Sequence, residues 1–377
     1  MKFRKLFFLP IFFIASFYSC EKEEFIDVMQ KTELEKIIDS EFSRCEMPGL
    51  TCAAVKEDSI VYIGYRGYAN VKDKVELSSQ TRMLVGSVSK TLTLTAIMQL
   101  YDRGLIELDA DINSYLPFEV RNPRYADVPI TVRMLLMHSS SISDSYTCSL
   151  LLFWGYEDFP ESLMHFEQNY LTANGQYYSK DNYSDKKPGT TYLYSNVAAS
   201  LIACLVEYVT GEGFNAYCKE NIFYPLGMNK TTWLYSETPK DEMAIPYANI
   251  INVDPQSPFY SQPNYPSGNL ITTAEDLSKF MRAFIMDGSY NDYQLLKPQT
   301  VDLILHDYKD RQGLIFVGRK MGKFTVWGHT GLIYGAAAEM FFDRDQRVGY
   351  IMITNRNNIY SRKAAIGNAL LLYAKRQ

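Results

Sequence analysis

The sequence predicts an α+β protein in which one antiparallel sheet is assembled from both ends of the chain. Residues 50–55 and 60–65 read as paired strands, and residues 324–327, 336–342 and 347–354 do so near the other end. A long helical middle separates the two groups, and each end of the chain carries one more helical pattern. Burying all of these faces favours one sheet, with the terminal helices on it and the helical middle against its other side.

The first residues are predicted to be a targeting segment rather than part of the fold. Basic residues at positions 2, 4 and 5 precede an apolar run over residues 6–18, which is too short for a comfortable membrane span. Cys20 follows where cleavage belongs, and an acidic run begins immediately after it. We therefore expect residues 1–19 to be a bacterial lipoprotein signal peptide and Cys20 to become lipidated.

On this interpretation residues 20–30 are a tether, and residues 31–377 form a single domain. The protein would then be anchored in a bacterial cell envelope, in the periplasm or on the outer-membrane surface, and would contact the membrane only through its lipid. The alternative is an ordinary signal peptide that is cut elsewhere, because Phe17 and Tyr18 are bulkier than the residues usual before a lipidated cysteine.

Composition narrows the class of protein further. A net charge of −5 with no basic block argues against a nucleic-acid partner, and 47% apolar residues can bury a substantial core. No cysteine spacing indicates a metal site, and no cofactor is expected. Cys204 and Cys218 lie on apolar helical stretches and are typical of small core residues. Cys45 and Cys52 are close enough in sequence to pair.

The elements that precede the helical middle follow from local patterns. Apolar spacing over residues 34–42 predicts a helix, which the Pro-Gly pair at residues 48–49 ends. The first two strands come next and are joined at residues 57–59. This arrangement is typical of a hairpin that begins directly after a terminal helix.

The next stretch carries the first candidate site. Ser87 and Lys90 stand one turn apart at the start of an apolar helical run that Gly104 ends. The free N–H groups and partial positive charge of a helix N-terminus favour an anion beside Ser87, and burial favours a neutral Lys90 amine that can accept a proton. The spacing alone is not specific, because residues 184–187 repeat it in a polar loop.

The middle of the chain is predicted to be irregular and then helical. Thr131 caps a short helix over residues 132–138. Residues 139–188 are rich in aromatic side chains, which either wall a pocket or belong to the core. The predicted elements that follow are helices over residues 197–209, 214–223, 277–286 and 362–375, with a capping box at residues 272–276.

Three short motifs occur in this order along the chain: Ser87-x-x-Lys90, Tyr194-x-Asn196 and His329-Thr330-Gly331. The last stands just before a predicted edge strand. Together they resemble the serine β-lactamase-like superfamily, in particular the branch of class C β-lactamases, D-alanyl-D-alanine carboxypeptidases, D-amino-acid peptidases and related esterases. The resemblance extends from about Leu34 to the C-terminus. It implies the β-lactamase-like, penicillin-binding transpeptidase-like fold, with a helical lobe over about residues 85–265 inserted in the sheet lobe.

The resemblance also implies a role for each motif. Ser87 is expected to be the nucleophile of an acyl transfer, with Lys90 or Tyr194 as the base. The backbone N–H groups of Ser87 and Leu332 are expected to hold the oxyanion. The expected substrate contacts are Asn196, His329, Thr330 and Gly331.

Two positions depart from the family pattern. His329 stands where relatives often have lysine, which removes a permanent positive charge and weakens the case for a dedicated β-lactamase. An imidazole has an unperturbed pKa of about 6.5, so His329 is expected to meet a substrate carboxylate as a cation and to titrate in the working range. Ser141 replaces the glycine usual after the motif at residues 135–140, so that loop is expected to differ in shape.

The predicted function is that of a lipid-anchored, cell-envelope serine hydrolase. It would cleave an amide or ester bond in a small molecule or peptide through an acyl-enzyme on Ser87. One alternative is a peptidoglycan D-amino-acid carboxypeptidase or peptidase. Another is a binding or sensing lipoprotein that keeps the fold and becomes acylated without turnover.

Overall fold

The computed structural model describes residues 30–145, 151–248, 259–357 and 363–377. The signal peptide, Cys20 and most of the tether lie outside the described residues. The helices are α1 (Lys31–Arg44), α2 (Ser89–Asp102), α3 (Val132–Leu136), α4 (Leu163–Leu171), α5 (Asn196–Thr210), α6 (Phe214–Cys218), α7 (Ala274–Ile285), α8 (Pro298–Ile304) and α9 (Lys363–Arg376). The strands are β1 (Gly49–Lys56), β2 (Ser59–Asn70), β3 (Val75–Glu76), β4 (Met83–Leu84), β5 (Phe153–Trp154), β6 (Tyr260–Ser261), β7 (Ile271–Thr272), β8 (Ser289–Tyr290), β9 (Tyr293–Gln294), β10 (Val317–Met321), β11 (Phe324–Ile333), β12 (Ala336–Asp343) and β13 (Val348–Thr354).

Strands from both ends of the chain form one antiparallel sheet, as predicted. Its order is β10-β11-β12-β13-β1-β2-β3, so β13 pairs directly with β1. The register places Leu50 opposite Thr354 and Lys56 opposite Val348. Both central strands are buried along nearly their whole length, which explains why each reads as a continuous apolar run rather than an alternating one.

Helices cover both faces of this sheet. The two terminal helices, α1 and α9, pack on each other, and α9 packs on β1 and β13. Leu34, Ile38, Ile366 and Leu370 are fully buried in the core on this side. The opposite face is covered by α7, which contacts β13, β1 and β12 and buries its apolar stripe in the larger core.

The helix that begins after Ser87 runs through the centre of the molecule. α2 packs against α5 and is buried from Ser89 to Leu100, so it has no solvent-exposed face over that length. Two of its buried threonines donate their hydroxyls to backbone carbonyls one turn earlier, as where Thr95 Oγ1 donates to Thr91 O at 2.8 Å. Because α2 is buried along this length, packing holds the start of the helix, and with it Ser87 and Lys90, in place.

The aromatic-rich segment contributes to the core where it is described. Phe166, Tyr170 and Tyr183 are buried in the main core, and the partly buried Tyr156 packs on the ring of Phe259 at 4.9 Å between centroids. Residues 146–150 and the side chain of Trp154 lie outside the described part of the chain. Of the two alternatives for this segment, a pocket wall or a part of the core, these described aromatic side chains belong to the core.

No single helix in the part of the chain that the structure describes is long and apolar enough to cross a membrane. The bent pair Asn196–Thr210 and Phe214–Phe223 passes by length and composition, with an angle of 85° between its halves. Within this pair, α5 is buried from Val197 to Val206.

Two local predictions are wrong, and the pairing of Cys45 with Cys52 that the sequence left open does not form. β10 was not predicted, because Gly318, Arg319 and Lys320 interrupt any apolar alternation. This strand forms the edge of the sheet. The His329 motif therefore lies inside β11 and not before an edge strand. Thr273 caps α7 by accepting from Asp276 N at 3.1 Å, but the Asp276 carboxylate accepts from the backbone N–H of residue 230, so the capping box is only half made. Cys52 is a buried free thiol, so no Cys45–Cys52 disulfide forms.

Candidate active site

Ser87 lies where a 3₁₀ turn, Gly86–Val88, runs directly into α2. Gly86 has a φ of +54°, in the left-handed region that favours glycine. A Cβ on Gly86 would lie 2.6 Å from the backbone nitrogen of Leu332. Glycine therefore lets the turn press against β11 and holds Ser87 at a helix start, which is the position that the sequence spacing predicted.

Lys90 is fully buried one turn after Ser87. Its Nζ lies 3.0 Å from Ser87 Oγ, 2.7 Å from Asn196 Oδ1 and 2.6 Å from the backbone oxygen of Ser267. Burial lowers the pKa of Lys90 to about 7, although the nearby Asp144 carboxylate opposes part of this shift. A neutral amine gives its two hydrogens to the two carbonyl oxygens, so its lone pair is left facing the Ser87 hydroxyl.

Tyr194 approaches the same serine from the other side, with its Oη 2.8 Å from Ser87 Oγ. Desolvation of the phenol raises the pKa of Tyr194 above its ordinary value, and Asp144 adds to the rise. The phenol is therefore protonated near neutral pH and donates to Ser87 Oγ. Of the two bases left open by the sequence, the electrostatics favour Lys90. The Nζ of Lys90 is 4.9 Å from the centroid of the Tyr194 ring, whose face stabilises the ammonium form.

Asn196 is the link between the two helices. Its Nδ2 donates to Asp144 Oδ2 at 2.8 Å, which turns its Oδ1 toward Lys90. Next to it, Ser195 caps α5 by accepting from Ala198 N at 3.0 Å. The start of α5 therefore presents Tyr194 and Asn196 to the site together, as the start of α2 presents Ser87 and Lys90.

The edge of β11 closes the site opposite the helices. β10 pairs with β11 only as far as Gly328, and the residues that follow border the cleft. A Cβ on Gly331 would lie 1.8 Å from Val85 O and 3.1 Å from Ser87 N, so only glycine allows this approach. The contact brings the backbones of Ser87 and Leu332 together, the pair whose N–H groups are expected to hold an oxyanion.

His329 differs from its prediction in charge. Its side chain is 6% exposed, and its Nδ1 lies 2.5 Å from the backbone oxygen of Thr330. Because a carbonyl only accepts, Nδ1 carries the hydrogen and Nε2 remains an acceptor. Burial, with Lys90 nearby, lowers the pKa of His329 to about 4. The imidazole is neutral near pH 7, so the expectation that His329 titrates in the working range is wrong.

Two cavities meet at Ser87 and Tyr194. The first, of about 380 Å³, we call the uncharged cavity, because the described residues that line it carry no formal charge. Its other lining residues are Asn196, Tyr260, Gln262, Ser267, Gly268, Leu332, Ile333, Tyr334 and Asn357. The second, of about 360 Å³, we call the charged cavity, since Arg319 and Glu339 line it beside the His329 motif and Leu332.

Several groups of the site were missed by the sequence analysis. Asp144 holds Asn196, the Ser267 carbonyl accepts from Lys90, and Arg319 and Glu339 form an ion pair at 3.1 Å in the charged cavity. The one signal for Asp144 was its position four residues after the motif at 135–140. No residue pattern marks Ser267, because it contributes a backbone atom.

The arrangement is suited to acyl transfer. A lysine amine and a phenol converge on one serine hydroxyl, beside the backbone N–H of Ser87 at a helix start and that of Leu332 on β11. Among the described residues, no group of three or more His, Cys, Asp or Glu side chains is arranged to hold a metal ion. Together, the antiparallel sheet and this site define a protein of the serine β-lactamase-like class.

Comparison with known proteins gives the family. The sequence model of the Beta-lactamase family matches residues 34–374, and the chain belongs to that family. It is similar to protein flp of Staphylococcus aureus, with 22% identity over 343 residues, which cover 87% of this chain and 64% of that protein. The chain thus spans less than two thirds of that relative's length.

Solved structures share the fold at low identity. The D-amino acid amidase of Ochrobactrum anthropi SV3 has a TM-score of 0.71 at 19% identity, covering 91% of this chain and 98% of that chain. The octameric penicillin-binding protein homologue of Pyrococcus abyssi has a TM-score of 0.70 at 21% identity, covering 92% and 76%. At these identities the likeness establishes the fold alone.

Proposed function

We propose that this protein is a serine hydrolase that cleaves an amide or ester bond through an acyl-enzyme on Ser87. The observation that carries the proposal is the environment of Lys90, whose amine lies 3.0 Å from Ser87 Oγ. Because burial lowers the pKa of Lys90 to about 7, the amine can accept a proton near neutral pH. At that pH about half of the Lys90 amines are neutral, and only the neutral amine can act as a general base.

The proposed reaction has two halves. Ser87 Oγ attacks the carbonyl carbon while Lys90 Nζ takes the hydroxyl proton, and the N–H groups of Ser87 and Leu332 hold the new oxyanion. As the bond to the leaving group breaks, the Tyr194 hydroxyl gives it a proton and regains one from the Lys90 ammonium. Water then attacks the acyl carbon, Lys90 accepts its proton, and that proton returns to Ser87 Oγ as the acid leaves.

Neutral substrates are favoured by the charges in the cleft. In the charged cavity, the described lining residue with a positive charge is Arg319, and Glu339 compensates it at 3.1 Å. His329 is neutral near pH 7 because burial lowers its pKa to about 4. A substrate carboxylate would therefore gain little on entering, so we propose esters and amides that lack a carboxylate, such as D-amino acid amides, as the preferred class over carboxylate-bearing peptides.

The test of Ser87 is the intact mass of the protein after exposure to a p-nitrophenyl ester, a penicillin and a D-amino acid amide, together with product formation. Ser87→Ala should lose both adduct and turnover. Ser184→Ala, which removes the serine of the second Ser-x-x-Lys copy, should keep both. A stable adduct without turnover would favour the binding or sensing alternative, and an active Ser87→Ala variant would refute the proposal.

The substrate preference has its own test. Glu339→Gln keeps the shape but leaves Arg319 uncompensated, so kcat/KM for an ester bearing a carboxylate should rise relative to its neutral methyl ester. Asp127→Asn, at an exposed position, is the matched control for loss of one negative charge. If wild type already prefers the carboxylate or releases terminal D-alanine rapidly, the carboxypeptidase alternative is favoured instead.

We also propose that Cys20 is the lipidated N-terminus of the mature protein in a bacterial cell envelope. The support is the basic start, the apolar run and the cysteine that ends it. Cells fed an alkyne fatty acid should label the wild type and not Cys20→Ser. Equal labelling of both would refute the anchor.

A further inference from the structure

The motif at residues 135–140 leads into a segment that ends at Asp144, the residue that holds Asn196. This segment, residues 138–144, lies against the start of α5. The His138 ring is 4.4 Å from the Tyr194 ring between centroids, and His138 Nδ1 accepts from Ser195 N at 3.3 Å. His138 and Ser141 both have positive φ, of 50° and 67°, so the backbone turns sharply here to return toward α5.

The segment ends at Asp144, whose carboxylate accepts four hydrogen bonds from three consecutive residues. Oδ1 accepts from Ser195 Oγ at 2.8 Å and from Val197 N at 3.1 Å. Oδ2 accepts from Asn196 N and from Asn196 Nδ2, each at 2.8 Å. A carboxylate has about four acceptor sites, so all are engaged, and all face the positive end of a fifteen-residue helix.

We infer that Asp144 is a positioning residue, which fixes the Asn196 amide so that the Lys90 lone pair faces Ser87. The inference rests on the acyl transfer proposed above. An asparagine side chain can rotate by half a turn and exchange Oδ1 with Nδ2. The Asp144 carboxylate prevents this, because only Nδ2 can donate to it.

The chemical consequence of a rotated amide is direct. Nδ2 of Asn196 would then point at Lys90 Nζ, so Lys90 would lose an acceptor for one of its hydrogens. Its lone pair would accept from Nδ2 instead of from the Ser87 hydroxyl. Without Asp144, part of the enzyme would therefore hold a base that does not face the nucleophile, which lowers kcat more than it changes KM.

Asp144 also acts on Lys90 through its charge. The groups that face Lys90 are Asp144, the phenol of Tyr194, and the imidazoles of His138 and His329, whose pKa values burial lowers. Of these, the carboxylate raises the pKa of Lys90. Replacing it with an amide lowers that pKa further, so the rise of kcat/KM with pH should shift to lower pH.

The experiment compares Asp144→Asn with Asp127→Asn in full-length protein, on a neutral p-nitrophenyl ester. Asp144→Asn should lower kcat about tenfold to a hundredfold, up to the lower bound of about 10² for loss of a general base, and move the acid limb to lower pH. Asp127→Asn should do neither. In an Asn196→Ala background, Asp144→Asn should have a much smaller effect, because the amide it orients is gone.

Other results would overturn the inference. An unchanged kcat in Asp144→Asn would do so. An equal loss of kcat in both backgrounds, with an unmoved acid limb and a lower Tm, would also do so, because these are the effects expected if Asp144 only caps α5. If Asp144→Asn does not fold, Asp144→Glu should keep the acid limb and lose kcat, and an acid limb that moves would contradict the inference. A wild type inactive on all acyl donors refutes the proposed function itself.

Discussion

The two helices that form the site hold their side chains in different ways. The α2 pair, Ser87 and Lys90, is set by the spacing of one helical turn and by burial of Lys90 in the protein interior. The α5 pair is held from outside. Tyr194 is 36% exposed, and Asn196 takes its orientation from Asp144, which lies 52 residues away in sequence. Packing therefore sets the strength of the base, and long-range polar contacts set its direction.

This difference separates two kinds of substitution. Changes in the packing around α2 alter the desolvation of Lys90 and hence its pKa. Changes in the segment 138–144 alter the geometry at α5 and leave most of that desolvation in place. The first kind should appear mainly in the pH dependence of activity. The second should appear mainly in kcat at a fixed protonation state, and only loss of the Asp144 charge should also move the pH profile.

The largest effect should come from removing the base. Lys90→Met keeps a long unbranched side chain without an amine, so kcat/KM should fall by about 10²–10⁴, the range typical of general-base catalysis. The free energy of unfolding should change little, because removal of a buried ionisable group offsets the loss of the hydrogen bonds to Asn196 Oδ1 and the Ser267 carbonyl. Acylation rates and urea denaturation measure both quantities. Near-normal acylation in this variant would identify Tyr194 as the base and reverse the comparison between the helices.

The pH dependence should be the next largest effect. Because burial lowers the pKa of Lys90 to about 7 and only the neutral amine accepts a proton, kcat/KM should rise with pH through about 7. The neutral fraction falls about a hundredfold between pH 8 and pH 5, and activity on a neutral ester should follow it. The measurement is the pH profile of wild type. A single fall near pH 10 would mean that Lys90 remains charged in the working range.

The second pair should matter less than the first. Tyr194→Phe removes the donor to Ser87 Oγ but keeps the ring that packs on His138 and lies under Lys90. We expect kcat to fall about tenfold to a hundredfold, at or below the lower bound of about 10² for acid–base effects, with little change in KM. Tyr192→Phe, at a half-exposed ring nearby, is the matched control. A loss larger than that of Lys90→Met would contradict the order proposed here.

Much of the fold was predictable because its signals are local or periodic. The apolar runs of β1 and β13 and the turn between Ser87 and Lys90 are encoded within a few residues, and burial of the sheet follows from them. β10 was missed because its interior is polar and glycine-containing. Its position at the sheet edge comes from the hairpin with β11 rather than from its own pattern.

The electrostatics of the site could not be predicted in the same way. A histidine in the sequence carries its ordinary pKa, and only burial and the Thr330 carbonyl show that His329 is neutral with Nδ1 protonated. Asp144 looks like any loop aspartate until the fold brings it to α5. The charge state of a side chain and its long-range hydrogen bonds depend on the groups that the fold places around it. The local sequence does not show which groups these are.

The smallest predicted effect concerns Ser141, in the segment that orients α5. Its φ of +67° lies in the left-handed region that favours glycine, the residue usual at this position. The left-handed conformation costs a serine roughly 1–2 kcal/mol, while its Oγ accepts from Asn122 Nδ2 at 2.9 Å, a hydrogen bond that contributes about 1 kcal/mol.

Ser141→Gly relieves the strain and loses the bond, so the free energy of unfolding should change by less than about 1 kcal/mol, with kcat unchanged. Ser141→Ala keeps the strain and loses the bond, so it should be the less stable of the two by urea denaturation. A drop in kcat for Ser141→Gly without loss of stability would show that the serine hydroxyl, and not the backbone turn, holds the segment against α5.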